Sequence, residues 1–288
     1  WSTGYKFELE GESENEEFFV KVRSTWSLCG RSGETYLPTL FVATDSRLRT
    51  SGRDGYGGVR VPENTDAIHS RTCSSPIAWG RFQEDPTKAF YLTHFQYLHE
   101  KLPTVQQLLP IAKKLHLSST SPTGKFGFPV TTFWGPPPMD NSWTDSWEEY
   151  FTRKFRAALE YGQQRHGRDD ELSELGEQFI QKVIPRLLRP LQTDGRSIKP
   201  TLCHGDLWDA NVQIDASIRV PIIFDPCCFY GHNEIEANAK IHRLQVDFQS
   251  MRSARNTLGQ EFMNTYKNEV GASEPQEDFD DRNALYSM

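Results

Sequence analysis

The chain of 288 residues is long enough for one large or two modest domains with an apolar core. A formal net charge of −7 at pH 7 predicts a soluble, mildly acidic protein and gives no electrostatic case for nucleic acid or an anionic membrane as partner. No apolar run approaches the length of a membrane span, and no charged-then-apolar leader opens the chain. The first residue is Trp1 rather than Met, so the natural start is expected upstream. Five cysteines, odd in number and without metal-type spacing, predict reduced thiols in the cytosol.

Residues 1–22 read as two strands, YKFELE and EEFFVKV, joined by the acidic turn GESEN. Residues 23–75 are rich in Ser, Thr, Arg and Gly and show no periodicity beyond TLFVAT, which predicts an irregular or disordered segment. The pattern returns with SPIAWGRF and AFYLTHF, two strands about the turn EDPTK. TVQQLLPIAKKLHLSS is an amphipathic helix with Val105, Leu108, Leu109, Ala112, Leu115 and His116 on one face and a kink expected at Pro110. In SPTGKFGF, Gly124 and Gly127 let Phe126 and Phe128 fold back onto the molecule.

Trp143 and Trp147, four apart, are expected on one face of a helix capped by Asn141 or Ser142. Two long helices follow, WEEYFTRKFRAALEYGQQR and DELSELGEQFIQKVIPRLLRPL. The apolar stripe of the second is read as Leu172, Leu175, Phe179, Val183, Leu187 and Leu191, with Pro185 interrupting it near its end.

Chemistry concentrates in LCHGDLWDANVQIDASIRVPIIFDPCCFYGHNEIE, Leu202 to Glu236. HGD with an Asn five residues after the Asp places a carboxylate, Asp206, and an amide, Asn211, on one loop, as the pattern H-R-D-x-x-x-x-N does in kinases. NVQID and VPIIFD then read as a hairpin about ASIR, which returns Asp225 to face Asn211. Phosphoryl transfer from ATP needs a carboxylate to orient and deprotonate the acceptor hydroxyl and oxygen ligands to hold Mg²⁺. Asp206 fits the first role, Asn211 and Asp225 the second. The bland alternative is a loop triplet and an ordinary strand-end cap, which three letters alone would favour. Trp208 is a candidate stacking surface for a sugar ring, with a core role as its alternative. His204, His232, Glu234 and Glu236 are read as bracing groups, since His204, His232 and His242 lack zinc-motif spacing. Cys227 and Cys228 are read as small buried groups under the loop, with a redox-active pair as the alternative.

HGDLWDAN followed by IIFDPCCFYGHNEIE resembles the fructosamine-3-kinase (ketosamine-3-kinase) family, in the aminoglycoside-phosphotransferase-like branch of the protein-kinase-like fold. SPTGKFGF, NSWTDSWEEYF and VIPRLL extend the resemblance. It implies an α+β, bilobal fold: a small β-rich N-lobe over 1–95 and a mainly helical C-lobe over 96–288. The N-lobe is read as incomplete, because no Gly-rich strand-turn-strand precedes Lys21, and neither Glu34 nor Glu63 lies in a helical pattern that could supply its partner. Further helices are implied beyond the acidic tail. Lys21, in FFVKV, becomes the candidate phosphate lysine, and the backbone of Thr93, His94 and Phe95 the candidate adenine contact. The implied activity is ATP- and Mg²⁺-dependent phosphorylation of the 3-hydroxyl of ketosamines, fructosamine or ribulosamine, free or on glycated proteins, leading to deglycation. Two alternatives stand beside it: a kinase for a small aminoglycoside- or choline-like compound, and an inactive pseudokinase or binding module.

Overall fold

The computed structural model describes residues 2–9, 16–24, 76–85, 87–133, 137–237 and 259–287. Most of the segment expected to be irregular, from residue 25 to residue 75, lies outside them. The chain begins with a hairpin, β1 (Ser2–Leu9) against β2 (Glu16–Ser24), so β2 runs two residues beyond its expected end. It does so because its pairing with β4 continues to Ser24↔Lys88. β3 (Pro76–Arg81) and β4 (Lys88–His94) complete a sheet in the order β1-β2-β4-β3. Lys21 therefore stands on an interior strand, paired with Gly4 on one side and Tyr91 on the other.

β5 (Leu98–His99) leads into α1 (Val105–Ser118), whose start is fixed by Gln107 accepting the Thr104 amide through its side chain at 3.0 Å. All six residues of the expected apolar face are buried, and the helix is continuous through Pro110. The tryptophan pair divides differently from the expectation. Phe126 and Thr144 exchange backbone hydrogen bonds at 2.9 Å, which holds Thr144 in an isolated bridge, and α2 (Trp147–His166) starts only after the Ser146 cap. Trp143 is thus outside the helix, packed at the margin against Tyr230, whereas Trp147 is fully buried. Asn141 is no cap either: its side chain is buried and bonded to Val130, Thr132 and Tyr150.

The second long helix is also corrected. α3 (Asp170–Gln178) passes into one π-helical turn, Phe179–Val183, then α4 (Ile184–Leu188) and a 3₁₀ turn, Arg189–Gln192. Pro185 has no amide to give the carbonyl four residues back and its ring would press upon it. The turn before it is widened, and the Ile184 amide reaches Phe179 O instead. The buried residues are Gly176, Ile180, Ile184, Leu187, Leu188 and Leu191, while Leu172 and Leu175 are 46% and 54% exposed. The cause is local. Gly176 faces Leu159 of α2 so closely that a Cβ there would strike it, and this approach, with Phe155 stacked on Phe179, turns the two leucines outward.

β6 (Thr201–Cys203) pairs with β9 (Phe229–Gly231), and between them β7 (Val212–Asp215) and β8 (Pro221–Ile223) form the expected hairpin, joined by β5 along its edge. Asp215 closes the hairpin turn by accepting the Ser217 and Ile218 amides at 2.8 and 3.1 Å. α5 (Glu234–Ala237), α6 (Gly259–Val270) and α7 (Phe279–Tyr286) follow. One core gathers Trp147, Ile184, Leu188, Leu202 and Phe229, and a second joins α1 to Leu207, Val212, Ile223, Phe262 and Tyr266. No helix among the described residues is long and apolar enough to cross a membrane.

The C-terminal helices dock through buried polar groups. Arg282 donates to both Glu234 oxygens, at 2.8 and 3.1 Å, and the His232 ring lies 2.8 Å from the Tyr286 hydroxyl and 2.9 Å from Ser273 Oγ. Burial pushes the His232 imidazole down to about 4, with the Arg282 charge acting the same way and Glu234 opposing.

Two measurements test this packing. Leu172→Lys and Leu175→Lys should each change unfolding stability by less than about 0.5 kcal/mol, while Ile184→Ala should cost about 2–5 kcal/mol in urea denaturation. The unfolded imidazole titrates near its ordinary value of about 6.5 and so binds a proton before the folded one as pH falls. Stability from His232 is complete above about pH 6.5 and is lost as pH falls toward 4, on the order of 3 kcal/mol in all. Melting temperatures across that window should fall steeply for the native chain and more gently for His232→Gln.

Candidate active site

Two loops meet side to side at the end of β6 and the end of β8. The Cys227 amide donates to His204 O at 2.9 Å, and the His204 ring lies 3.1 Å from Phe224 O. Their contact requires a glycine. Gly205 has φ +80°, and a Cβ on it would lie 2.6 Å from the Cys227 carbonyl oxygen. The Gly205 amide donates to the buried carboxylate of Glu236. His204 is buried, and burial lowers its basicity, which suits a brace better than a proton acceptor. Glu236 therefore braces this loop as expected, whereas His232 and Glu234 turn to the C-terminal segment.

Asp206 follows, with its carboxylate tied to Asn211. The Asn211 Nδ2 group donates to Asp206 O at 2.8 Å and to Asp206 Oδ2 at 2.7 Å. A 3₁₀ turn, Asp209–Asn211, makes this possible by folding the chain back within five residues. With Nδ2 committed, Oδ1 is the remaining acceptor of that amide. Burial pushes the Asp206 carboxyl up to about 6; the Asn211 hydrogen bond resists this, the Asp225 charge adds to it, and Lys154 and a side-chain hydrogen bond from Trp208 resist it further. Trp208, half-buried, lies close enough to Asp206 to help hold its carboxyl down.

Phe224 donates its amide to Asn211 O at 3.1 Å, which extends the hairpin by one pair and sets the next residue, Asp225, beside that turn. Asp225 has φ +58°, a left-handed conformation that aspartate tolerates better than most residues. Its carboxylate, about half exposed, receives the Lys21 ammonium from β2. The structure thus joins Lys21 to Asp225, Asp225 to Asp206 through charge, and Asp206 to Asn211. Thr93 and His94 end β4, and Phe95 follows them. Thr93 is buried, His94 stacks on Phe18, and the Phe95 amide is already given to Glu17 O at 2.9 Å. That donor of the candidate adenine contact is spent within the protein.

Lys154 escaped notice in the sequence. It falls with Trp147, Tyr150 and Phe151 at i, i+3, i+4 and i+7 of α2, so helical periodicity alone directs it inward. Its ammonium lies 4.5 Å from the centre of the Phe229 ring, and burial lowers its pKa. Cys203, Cys227 and Cys228 are buried and in no disulfide, and burial raises the Cys227 thiol, so they pack rather than react. The donors near the turn, an amide oxygen and carboxylates, form a hard-oxygen set of the kind Mg²⁺ takes.

The family model for fructosamine kinase matches residues 63–288. Over 113 residues, 39% of this chain and 34% of the relative, the sequence is 42% identical to a ketosamine-3-kinase of Mus musculus. Over 124 residues it is 35% identical to a chloroplastic protein-ribulosamine 3-kinase of Oryza sativa subsp. japonica, covering 43% of this chain and 34% of the relative. The chain thus spans about a third of the length of these relatives. Among solved structures, a protein assigned as a fructosamine-3-kinase from Haemophilus somnus 129PT aligns with TM-score 0.58 at 16% identity, over 98% of this chain and 80% of that one. A thermostable mutant of aminoglycoside phosphotransferase APH(4)-Ia, in ternary complex with AMP-PNP and hygromycin B, aligns with TM-score 0.52 at 14% identity, over 98% and 89%. At such identities these structures establish the fold, which is kinase-like and mixed α+β, and with the family match over most of its length the chain belongs to the fructosamine kinase family.

Proposed function

We propose that the chain is an ATP-dependent ketosamine 3-kinase, acting on ribulosamine or fructosamine formed on protein lysines by glycation. The observation that carries this reading is the meeting of Lys21, from the sheet, with Asp225 beside the loop on which Asn211 holds Asp206. Asp206 orients the 3-hydroxyl of the sugar and accepts its proton as the new O–P bond forms and the bond from the γ-phosphorus to the bridging oxygen of ADP breaks. The Asn211 amide fixes which Asp206 oxygen faces the acceptor. Lys21 offers its charge to the phosphates when it leaves Asp225. Asn211 Oδ1 and Asp225 would hold Mg²⁺, which neutralises charge on the phosphates. The names of the relatives, ketosamine-3-kinase and protein-ribulosamine 3-kinase, support the sugar class. The phosphorylated adduct then breaks down and frees the lysine, so the net result is deglycation. A cytosolic site of action, as the thiols suggested, belongs to the same proposal.

Carrier protein glycated with ribose, offered with Mg-ATP, should be phosphorylated while unglycated carrier is not; equal labelling of the two sinks the substrate assignment. Asp206→Asn should lower turnover about a hundredfold or more, with nucleotide still bound in a thermal-shift titration. In the same titration Asp225→Asn should abolish the Mg²⁺-dependent part of the stabilisation by ATP, which in the native chain should grow by about 1.4 kcal/mol for each tenfold excess over Kd.

A further inference from the structure

Behind the Asp206 loop a line of buried polar groups runs to helix α6. One Glu236 oxygen accepts the Gly205 amide, and the other lies 2.8 Å from His116 Nε2, on α1. The opposite nitrogen of that ring, Nδ1, lies 2.6 Å from the Tyr266 hydroxyl on α6, and Asn233 Nδ2 donates to the same hydroxyl at 3.0 Å. His116, Glu236 and Tyr266 are all buried. Donors and acceptors match in one arrangement: Asn233 to Tyr266, Tyr266 to His116 Nδ1, His116 Nε2–H to Glu236 and Gly205 N–H to Glu236. Burial acts to raise the Glu236 carboxyl, but the hydrogen bond from His116, with help from His204, holds it below its ordinary value.

Packing alone does not call for this line. Apolar side chains of similar volume would join α1 to α6 without desolvating a carboxylate, an imidazole and a phenol. What the line supplies is a fixed acceptor for the Gly205 amide, at a residue whose left-handed backbone is pressed against the Cys227 carbonyl. Gly205 immediately precedes Asp206, so fixing the peptide that joins His204 to Gly205 constrains the backbone from which the Asp206 side chain departs.

We infer that Tyr266 and His116 are positioning residues for phosphoryl transfer, acting through Glu236 on the Gly205 amide. The inference rests on the kinase reading above and adds to it residues that touch neither substrate nor nucleotide. Tyr266→Phe removes one hydroxyl and keeps the ring, and His116→Gln breaks the next link. In the full 288-residue chain, both should move the Gly205 amide proton resonance and lower kcat about tenfold, with the KM for ATP changed by less than roughly twofold. Lys113→Ala removes an exposed α1–α6 ion pair to Glu269 and should leave both readings as they are. An unmoved Gly205 resonance in both variants overturns the inference, and so does a moved resonance with unchanged kcat. Should the native chain fail to phosphorylate any ketosamine, the functional reading falls, and the resonance arm alone then decides whether Tyr266 and His116 orient the loop.

Discussion

Two loops of this protein touch where only a glycine fits. Everything at the candidate active site follows from that contact between Gly205 and Cys227. It brings the backbone before Asp206 against the backbone after Asp225, and the hydrogen bonds between Cys227 and His204, and between His204 and Phe224, hold the two together. The Asp225 carboxylate is thereby placed near enough for Asp206 to feel its charge. Like charges in proximity inside a low-dielectric lobe are unfavourable unless cations and hydrogen-bond donors face them. The surroundings supply these: Asn211 to Asp206, Lys21 to Asp225, and the Lys154 charge nearby.

The ion pair between Lys21 and Asp225 also ties the sheet to the helical part of the molecule. A second tie lies nearby, where Lys6 of β1 donates to Glu17 at 2.6 Å, Tyr97 donates to the same carboxylate at 2.7 Å, and the Lys6 ammonium sits 4.8 Å from the centre of the Phe95 ring. Tyr97 O in turn accepts the Ala216 amide at 2.8 Å from the hairpin turn. The connector after β4 is thus held by the sheet on one side and by the β7–β8 turn on the other, which accounts for the commitment of the Phe95 amide.

The Asp206, Asn211 and Asp225 group was legible because one short stretch of chain carries all of it, and a turn plus a hairpin are features that residue types specify directly. The strands and the face of α1 were legible for the same reason. What failed depended on partners distant in sequence. Trp143 looked helical because its spacing to Trp147 is helical, yet Phe126, far upstream, draws Thr144 into a bridge. Leu172 and Leu175 fit an apolar stripe, but Gly176 against Leu159 set the rotation of α3. The Glu234–Arg282 pair spans 48 residues, and nothing in either local pattern announces it. Lys154 lay within reach of the sequence, had the inward stripe of α2 been read for charge as well as for apolar residues.

The buried pair between Glu234 and Arg282 changes the standing of the last helix. Arg282 is fully enclosed and spends its guanidinium on Glu234, Ser273 and Pro275. Trimming the chain ahead of α7 would strand an anion in the interior, two residues from the Glu236 that accepts the Gly205 amide. The last helix therefore works as a plug rather than a tail: removing it would disturb, through electrostatics, the segment whose Glu236 accepts the Gly205 amide.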